Sequence, residues 1–216
     1  MGVEEQKAVE TVSPSEACQQ KAPSWQHPGG KLIELGSHAL KQDELLAILI
    51  GAGTPGRSAL AIANAVLDEY IGLYGIHRQA TVEDLSRIPG LGPRKAARIL
   101  AAIELGRRLY RLTTRVKPQT TAEVDLFSSL KAVPQPEPQP QGPSEADLLA
   151  DIIGSGIRGH PPKVIAEDLL ARFGSFLGLF GQDMGDFESV RGLNSVKIIR
   201  IAAALEVAKR VSKAIA

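Results

Sequence analysis

The sequence predicts an all-α protein made of two tandem helical bundles, and three observations carry that expectation. Apolar residues recur at helical spacing along most of the chain, and no strand-period segment of useful length competes with them. Aromatic residues make up only 4 % of the composition, too few for a large β-sandwich. Residues 44–108 can also be laid on residues 147–210, so the helical pattern is written twice. A chain of 216 residues, 44 % hydrophobic and 23 % charged, has the balance of one or two globular domains.

Taken in order, residues 1–26 are polar and Glu- and Gln-rich, and read as a disordered tail. Trp25 at its end is expected to pack on the domain edge. Helices follow near 30–36, 42–51, 57–70, 71–76, 81–87 and 93–112. Leu45, Leu46, Leu49 and Ile50 form one apolar stripe, and Leu60, Ile62, Ala63, Val66 and Leu67 another. Thr81 opens T-V-E-D, a capping box with Asp84 at the third helical position. Thr120 or Thr121 would cap a short helix over 122–132, with Val124, Phe127 and Leu130 on one face docking on the first bundle. Pro134 to Ser144 alternates prolines and is expected to be a semi-rigid tether. The division is therefore a tail over 1–26, a first bundle over 27–117, a short helix and linker over 118–144, and a second bundle over 145–216. Each bundle would bury roughly 60 % of its unfolded surface and so fold alone only marginally.

The repeat is specific. At an offset of 103, E-L-L-A-I-L-I-G-A-G from Glu44 falls on D-L-L-A-D-I-I-G-S-G from Asp147, and Gly56, Ile62, Ala63 and Gly75 fall on Gly159, Ile165, Ala166 and Gly178. After one deletion the offset becomes 102, and Gly90, Leu91, Lys95, Arg98 and Ile99 meet Gly192, Leu193, Lys197, Arg200 and Ile201.

The candidate site lies in Leu85 to Ile103, L-S-R-I-P-G-L-G-P-R-K-A-A-R-I-L-A-A-I, which matches the helix-hairpin-helix spacing h-x-x-h-x-G-h-G-x-x-x-A-x-x-h throughout. That pattern grips a nucleic-acid backbone. Gly90 and Gly92 are expected to turn the chain through positive φ and to bring the backbone close to a ligand. Leu91 plugs the turn inward. Pro93 suits a first helical turn, and Arg94, Lys95, Ala96 and Ala97 launch a helix whose free amides and dipole favour a phosphate oxygen. A second, degraded hairpin is legible over Leu45 to Val66, where Gly51, Gly53, Gly56, Arg57 and Ser58 are candidates for a further phosphate contact, although packing is the commoner use of such a turn.

The net charge of +1 conceals a gradient. Residues 31–117 carry thirteen basic and eight acidic residues, whereas 144–216 carry nine of each. Arg87, Arg94, Lys95, Arg98, Arg107, Arg108, Arg111, Arg115 and Lys117 cluster in and after the hairpin, the footprint expected of a phosphate binder. Cys18 is the sole cysteine, which excludes a disulfide framework or a cysteine-held zinc or iron–sulfur site. The N-terminus lacks a signal-peptide order and no apolar run has the length of a membrane span, so a cytoplasmic location is expected. No cofactor or small-molecule substrate is expected.

The runs from His27 to Leu60 and from Leu85 to Leu109 resemble the N-terminal helical domain of the RadC family, a RuvA-domain-2-like helix-hairpin-helix module. The likeness is close over 27–112 and looser over 145–210. In that family the module precedes a metalloprotease-like JAMM/MPN domain with an H-x-H motif. No such motif occurs in this sequence, where His27, His38, His77 and His160 are isolated. The resemblance implies a duplicated module acting on DNA, in repair or recombination. Hairpins of this kind bind DNA without sequence preference. Carried over by position, the amides of Gly90, Gly92, Arg94 and Lys95 would face two phosphates. The carbonyls of Ser86, Ile88 and Leu91 would hold a monovalent cation, and Arg94, Lys95 and Arg98 would add charge-assisted contacts.

The second copy keeps Gly192, Leu193, Lys197 and Arg200 but has Asn194 for the second glycine and Ile198 for the close-packing Ala96. Asn tolerates the left-handed region, so the turn is expected to survive, while Ile198 is expected to push its helices apart. Gly192, Asn194, Lys197 and Arg200 are secondary contacts at most, and the copy is expected to support the first as a pseudo-dimer. The function expected is non-enzymatic, sequence-independent binding of double-stranded or branched DNA. The alternative is a protein-interaction module recruiting a partner through the second copy. A glycosylase reading fails on residues: Arg94 stands where those enzymes have a lysine two positions after the second glycine, and no cysteine follows.

Overall fold

The computed structural model describes residues 27–115 and 142–216. The expected tail with Trp25, the expected helix over 122–132, Lys117 and all of the tether but its last three residues lie outside the described residues. Those described are all-helical: α1 (Pro28–Leu35), α2 (Gln42–Ile50), α3 (Ala59–Tyr70), α4 (Leu73–Gln79), α5 (Val82–Ser86) and α6 (Pro93–Arg115), then α7 (Glu145–Ile153), α8 (Pro162–Phe173), α9 (Met184–Glu188) and α10 (Ser195–Ile215). Short 3₁₀ turns stand at Ser37–Ala39 and Leu177–Leu179. The first of these was not expected from the pattern, and the second replaces a full counterpart of α4.

Side-chain caps set the helix starts. Ser58 accepts from the Ala61 amide at 3.1 Å, which moves the start of α3 two residues beyond the expected one. Thr81 accepts from the Asp84 amide at 3.2 Å, as its capping box predicts. Ser144 and Asp147 satisfy each other's amides at the start of α7. Each such cap is worth about 1 kcal/mol.

One hydrophobic core runs through both segments, from Leu45, Leu49 and Ile62 to Ile152, Ile165 and Val207. α6 packs more extensively on α7 than on α2, and α10 more extensively on α2 than on α7. The two expected bundles therefore do not close separate cores. The physical reason is that α6 buries Ala96, Ile99, Ala101, Ala102, Ile103 and Leu105, a surface too wide for the short helices of its own half to cover.

The directions of these helices follow from side-chain contacts made twice. Arg108 Nη2 donates to the Pro143 carbonyl just before α7, and Arg210 Nη2 donates to the Leu40 carbonyl just before α2 at 2.8 Å. At the other end Arg98 Nη1 donates to Leu49 at the close of α2, and Arg200 Nη1 to Ile153 at the close of α7. Arg98 also reaches the Asp151 carbonyl of α7, so it stands beside Arg200. Further along, a Cβ on Gly106 would lie 2.8 Å from the Ala208 carbonyl oxygen. Pairing 98 with 200 and 106 with 208 means that α6 and α10 run side by side in the same direction, with α2 and α7 running against both. The consequence for function is positional. The starts of α6 and α10 and the ends of α2 and α7 all reach one end of this four-helix core.

Candidate nucleic-acid interface

The turn between α5 and α6 is closed by its own backbone. The Ile88 amide donates to Leu85 and the Leu91 amide to Ile88, while the Gly92 carbonyl accepts from Lys95 at 2.9 Å and Ala96 at 3.1 Å to begin α6. Leu91 is the expected plug, 1 % exposed. Gly90 has φ +93, and a Cβ there would stand 2.7 Å from Ile62 Cδ1, so both backbone and packing require glycine. The expectation of positive φ at Gly92 is corrected: Gly92 is not among the left-handed residues, and a Cβ there would meet nothing within 4 Å. Its role is openness. Pro93 has no N–H, and the amides of Gly92 and Arg94 take no backbone partner, so an exposed donor pair stands at the N-terminus of a 23-residue helix. Of the carbonyls expected to hold a cation, that of Ile88 already accepts the Leu91 amide, while none accepted by Ser86 or Leu91 stands among the turn's bonds.

Two of the expected contact side chains have partners within the chain. Lys95 Nζ donates to the carbonyls of Ala52 at 2.7 Å and Gly90 at 3.0 Å, which ties the turn to the 51–57 loop. Arg98 is half-buried, and desolvation and then the neighbouring Arg200 lower its pKa to about 10. Its guanidinium caps the end of α2, where the helix dipole is negative. Arg94 remains exposed, and its side chain makes no hydrogen bond or ion pair with another described residue. The basic cluster also divides. Arg107 and Arg111 lie about 20–26 Å along α6 from Arg94 at 1.5 Å per residue, and Arg107 is held by His77 at 2.7 Å. Burial and then Arg107 in turn lower the His77 pKa.

In the 51–57 loop, Gly51 closes α2 at φ +77. A Cβ on Gly53 would fall 2.3 Å from the Arg57 carbonyl oxygen, and Arg57 Nη1 donates to the Pro89 carbonyl at 3.0 Å. Gly53, Arg57 and the capping Ser58 are thus occupied in shaping the loop, while Gly56 is exposed at its tip.

The second half repeats this frame with different surface chemistry. Gly192 has φ +93, as Gly90 does, and Lys197 Nζ donates to the Gly192 carbonyl at 2.6 Å as Lys95 does to Gly90. Lys197 is 6 % exposed, and burial followed by Arg200 lowers its pKa. Asn194 does not use the left-handed region. It sits at φ −122 as the cap of α10, with Oδ1 accepting from the Lys197 amide at 3.0 Å, so the site of the first half's open amides carries a side chain of its own. Ile198 is 3 % exposed inside the shared core, and so is absorbed by packing. Arg200 Nε is buried without a partner.

The glycine loops 51–57 and 154–160 and the turns 88–92 and 190–194 come together at the same end of the core. A groove of about 600 Å³ crosses it, lined by Arg94, Arg98, Asp151, Gly154, Pro161 and Lys163. Sequence reading missed Arg158 and Arg191, exposed in the second half's loop and turn. Neither makes a hydrogen bond or ion pair with another described residue. The repeat offset itself could have found them, since they occupy the positions of Pro55 and Pro89, but the segment's balanced total charge concealed them. Among the described residues, no three His, Cys, Asp or Glu side chains gather as a metal-binding set.

Residues 20–97 match the family model described as the UPF0758 N-terminal domain. The chain is similar to a UPF0758 protein of Alkaliphilus oremlandii, 42 % identical over 109 residues that cover 50 % of this chain and 46 % of the relative. It is 43 % identical over 90 residues to the UPF0758 protein YsxA of Bacillus subtilis, covering 42 % and 38 % of the two chains. A UPF0758 protein of Burkholderia cenocepacia is 39 % identical over 84 residues, covering 39 % and 32 %. The matched part thus spans less than half the length of these relatives. No solved structure matches the chain.

Proposed function

We propose, starting from the match of residues 20–97 to the UPF0758 N-terminal model, that this chain is a tandem pair of RadC-type helix-hairpin-helix units that binds DNA by its phosphate backbone, without sequence preference and without catalysis. The observation that supports it is the open donor pair at Gly92 and Arg94, at the start of α6 and beside the unpaired Arg94 guanidinium. An anion is what an exposed helix start with a free arginine favours. Side chains that could read base edges are scarce here, because Lys95, Arg57 and Arg98 are committed to carbonyls within the chain. Backbone contacts position a protein on DNA without selecting a sequence. The duplication of the module, its DNA-repair or recombination setting and its cytoplasmic place belong to the same proposal.

If three to four phosphates are engaged, log K falls against log salt with a slope near −3, and affinity drops roughly 60-fold between 50 and 200 mM salt. The test is a binding series over duplex, branched and single-stranded DNA at those two salts. Binding to unrelated duplexes with that salt response supports the proposal, and absence of binding at 50 mM refutes it. A protein partner is the second reading. It is favoured by a largely apolar groove of about 320 Å³ along α6, lined by Ile76, Ala80, Val82, Ala97 and Leu100.

A further inference from the structure

The second half was expected to support the first, with secondary contacts at most from Gly192, Asn194, Lys197 and Arg200, but its exposed Arg158 and Arg191 lie on the same end of the core as the first half's open turn. α6 and α10 run in the same direction, so the local two-fold that relates Arg98 to Arg200 and Arg108 to Arg210 runs along the core and leaves through this end. Side-by-side helices stand about 8–10 Å apart, which keeps both helix starts on the scale of a DNA groove of about 6–12 Å. The two strands of a duplex are themselves related by two-folds perpendicular to its axis.

We infer that one duplex is held across both halves, with the two strands gripped by different chemistry: backbone amides at Gly92 and Arg94 in the first half, and the guanidinium groups of Arg158 and Arg191 in the second. This rests on the DNA-binding reading above and extends it to a second contact site. Where α6 starts at Gly92 with no side chain, α10 starts at Asn194, whose Oδ1 accepts from the Lys197 amide, the counterpart of the Lys95 amide. Where the first half has Pro55 and Pro89, which carry no charge, the second has Arg158 and Arg191. Arg158 lies in the loop closed by the Ile157–His160 bridge, the counterpart of the Thr54–Arg57 bridge, so the loop that presents it has a fixed frame. Of the nearby acids, Asp168 faces His160 at 3.6 Å, and neither Asp151 nor Glu188 pairs with these arginines.

The test uses the full chain with Arg158→Glu and Arg191→Glu combined, beside Gly92→Asp, on a duplex and on a single strand of equal length. Both arginines are exposed and have no partner among the described residues, so the double variant is expected to keep the wild-type circular dichroism and melting. It should bind duplex at least tenfold more weakly at 50 mM salt, with a salt slope smaller by about 1.8, the loss of two phosphate contacts. Single-stranded DNA, which can use one turn at a time, should lose much less. Unchanged duplex affinity and slope in the double variant, with Gly92→Asp still weakened, overturns the two-strand arrangement and leaves the DNA reading intact. Equal loss on duplex and single strand also overturns it. If neither variant changes binding, the grip at the start of α6 falls as well, and if the wild type does not bind duplex at 50 mM salt the DNA reading falls with it.

Discussion

Replacing Gly92 by Asp separates the grip from the fold. A Cβ at position 92 meets nothing within 4 Å, and the corresponding position in the second half carries an Asn that caps its helix through the Lys197 amide. The introduced carboxylate would cap α6 in the same way, through the Lys95 amide. Gly and Asp differ by only a few tenths of a kcal/mol as caps, and an acidic group at a helix start adds about 0.3–1 kcal/mol. The variant should therefore be as stable as wild type or slightly more so. At the same time its carboxylate sits where a phosphate oxygen would, and one charge-assisted hydrogen bond, worth about 1.5–3 kcal/mol, is lost. Duplex affinity should fall roughly 10- to 100-fold, with Gly92→Asn intermediate. Gel shift or fluorescence anisotropy at 50 mM salt measures the affinity, and urea unfolding measures the stability. A stable Gly92→Asp protein that binds duplex as wild type does would refute the claim that the open helix start is the grip.

Further expectations concern the shared core and its caps. Gly106→Leu forces a side chain against the Ala208 carbonyl and Val211, and overpacking of this kind costs about 1–3 kcal/mol; because the core is continuous, urea should unfold the variant and the wild type each in one transition, whereas a second transition would show separate cores. The Asp147 carboxyl, held chiefly by the Ser144 hydroxyl and then by Lys163, should titrate at about 2 by NMR. Since its pKa is lowered on folding, its contribution is complete above the ordinary value and is lost as pH falls toward 2. Ser144→Ala should move the midpoint back up, and an unchanged midpoint would show that the hydroxyl is not the cause.

Local pattern made most helices and the first turn legible. Leu91, Gly90 and Ala96 could be placed from spacing alone because steric demands act within a few residues. The fate of Lys95 and Arg98 could not, because the Ala52, Leu49 and Asp151 carbonyls they satisfy lie more than forty residues away. The same holds for the shared core. Apolar residues at helical spacing mark a buried face on α6 but do not tell that α7, from the other half, covers it. At position 194 the residue type was read through its tolerance of left-handed backbone, when its capping capacity was the property in use.

The exposed amides at the start of α6 are the centre of the proposed grip, and a ¹⁵N–¹H titration of the full chain with a short duplex tests them most directly. The amides of Gly92 and Arg94 should move earliest and furthest, with Arg158 and Arg191 following and the distant Arg111 end of α6 unmoved. Shifts confined to the apolar groove around Ile76 and Leu100, or none at the turn under saturating duplex, would contradict it.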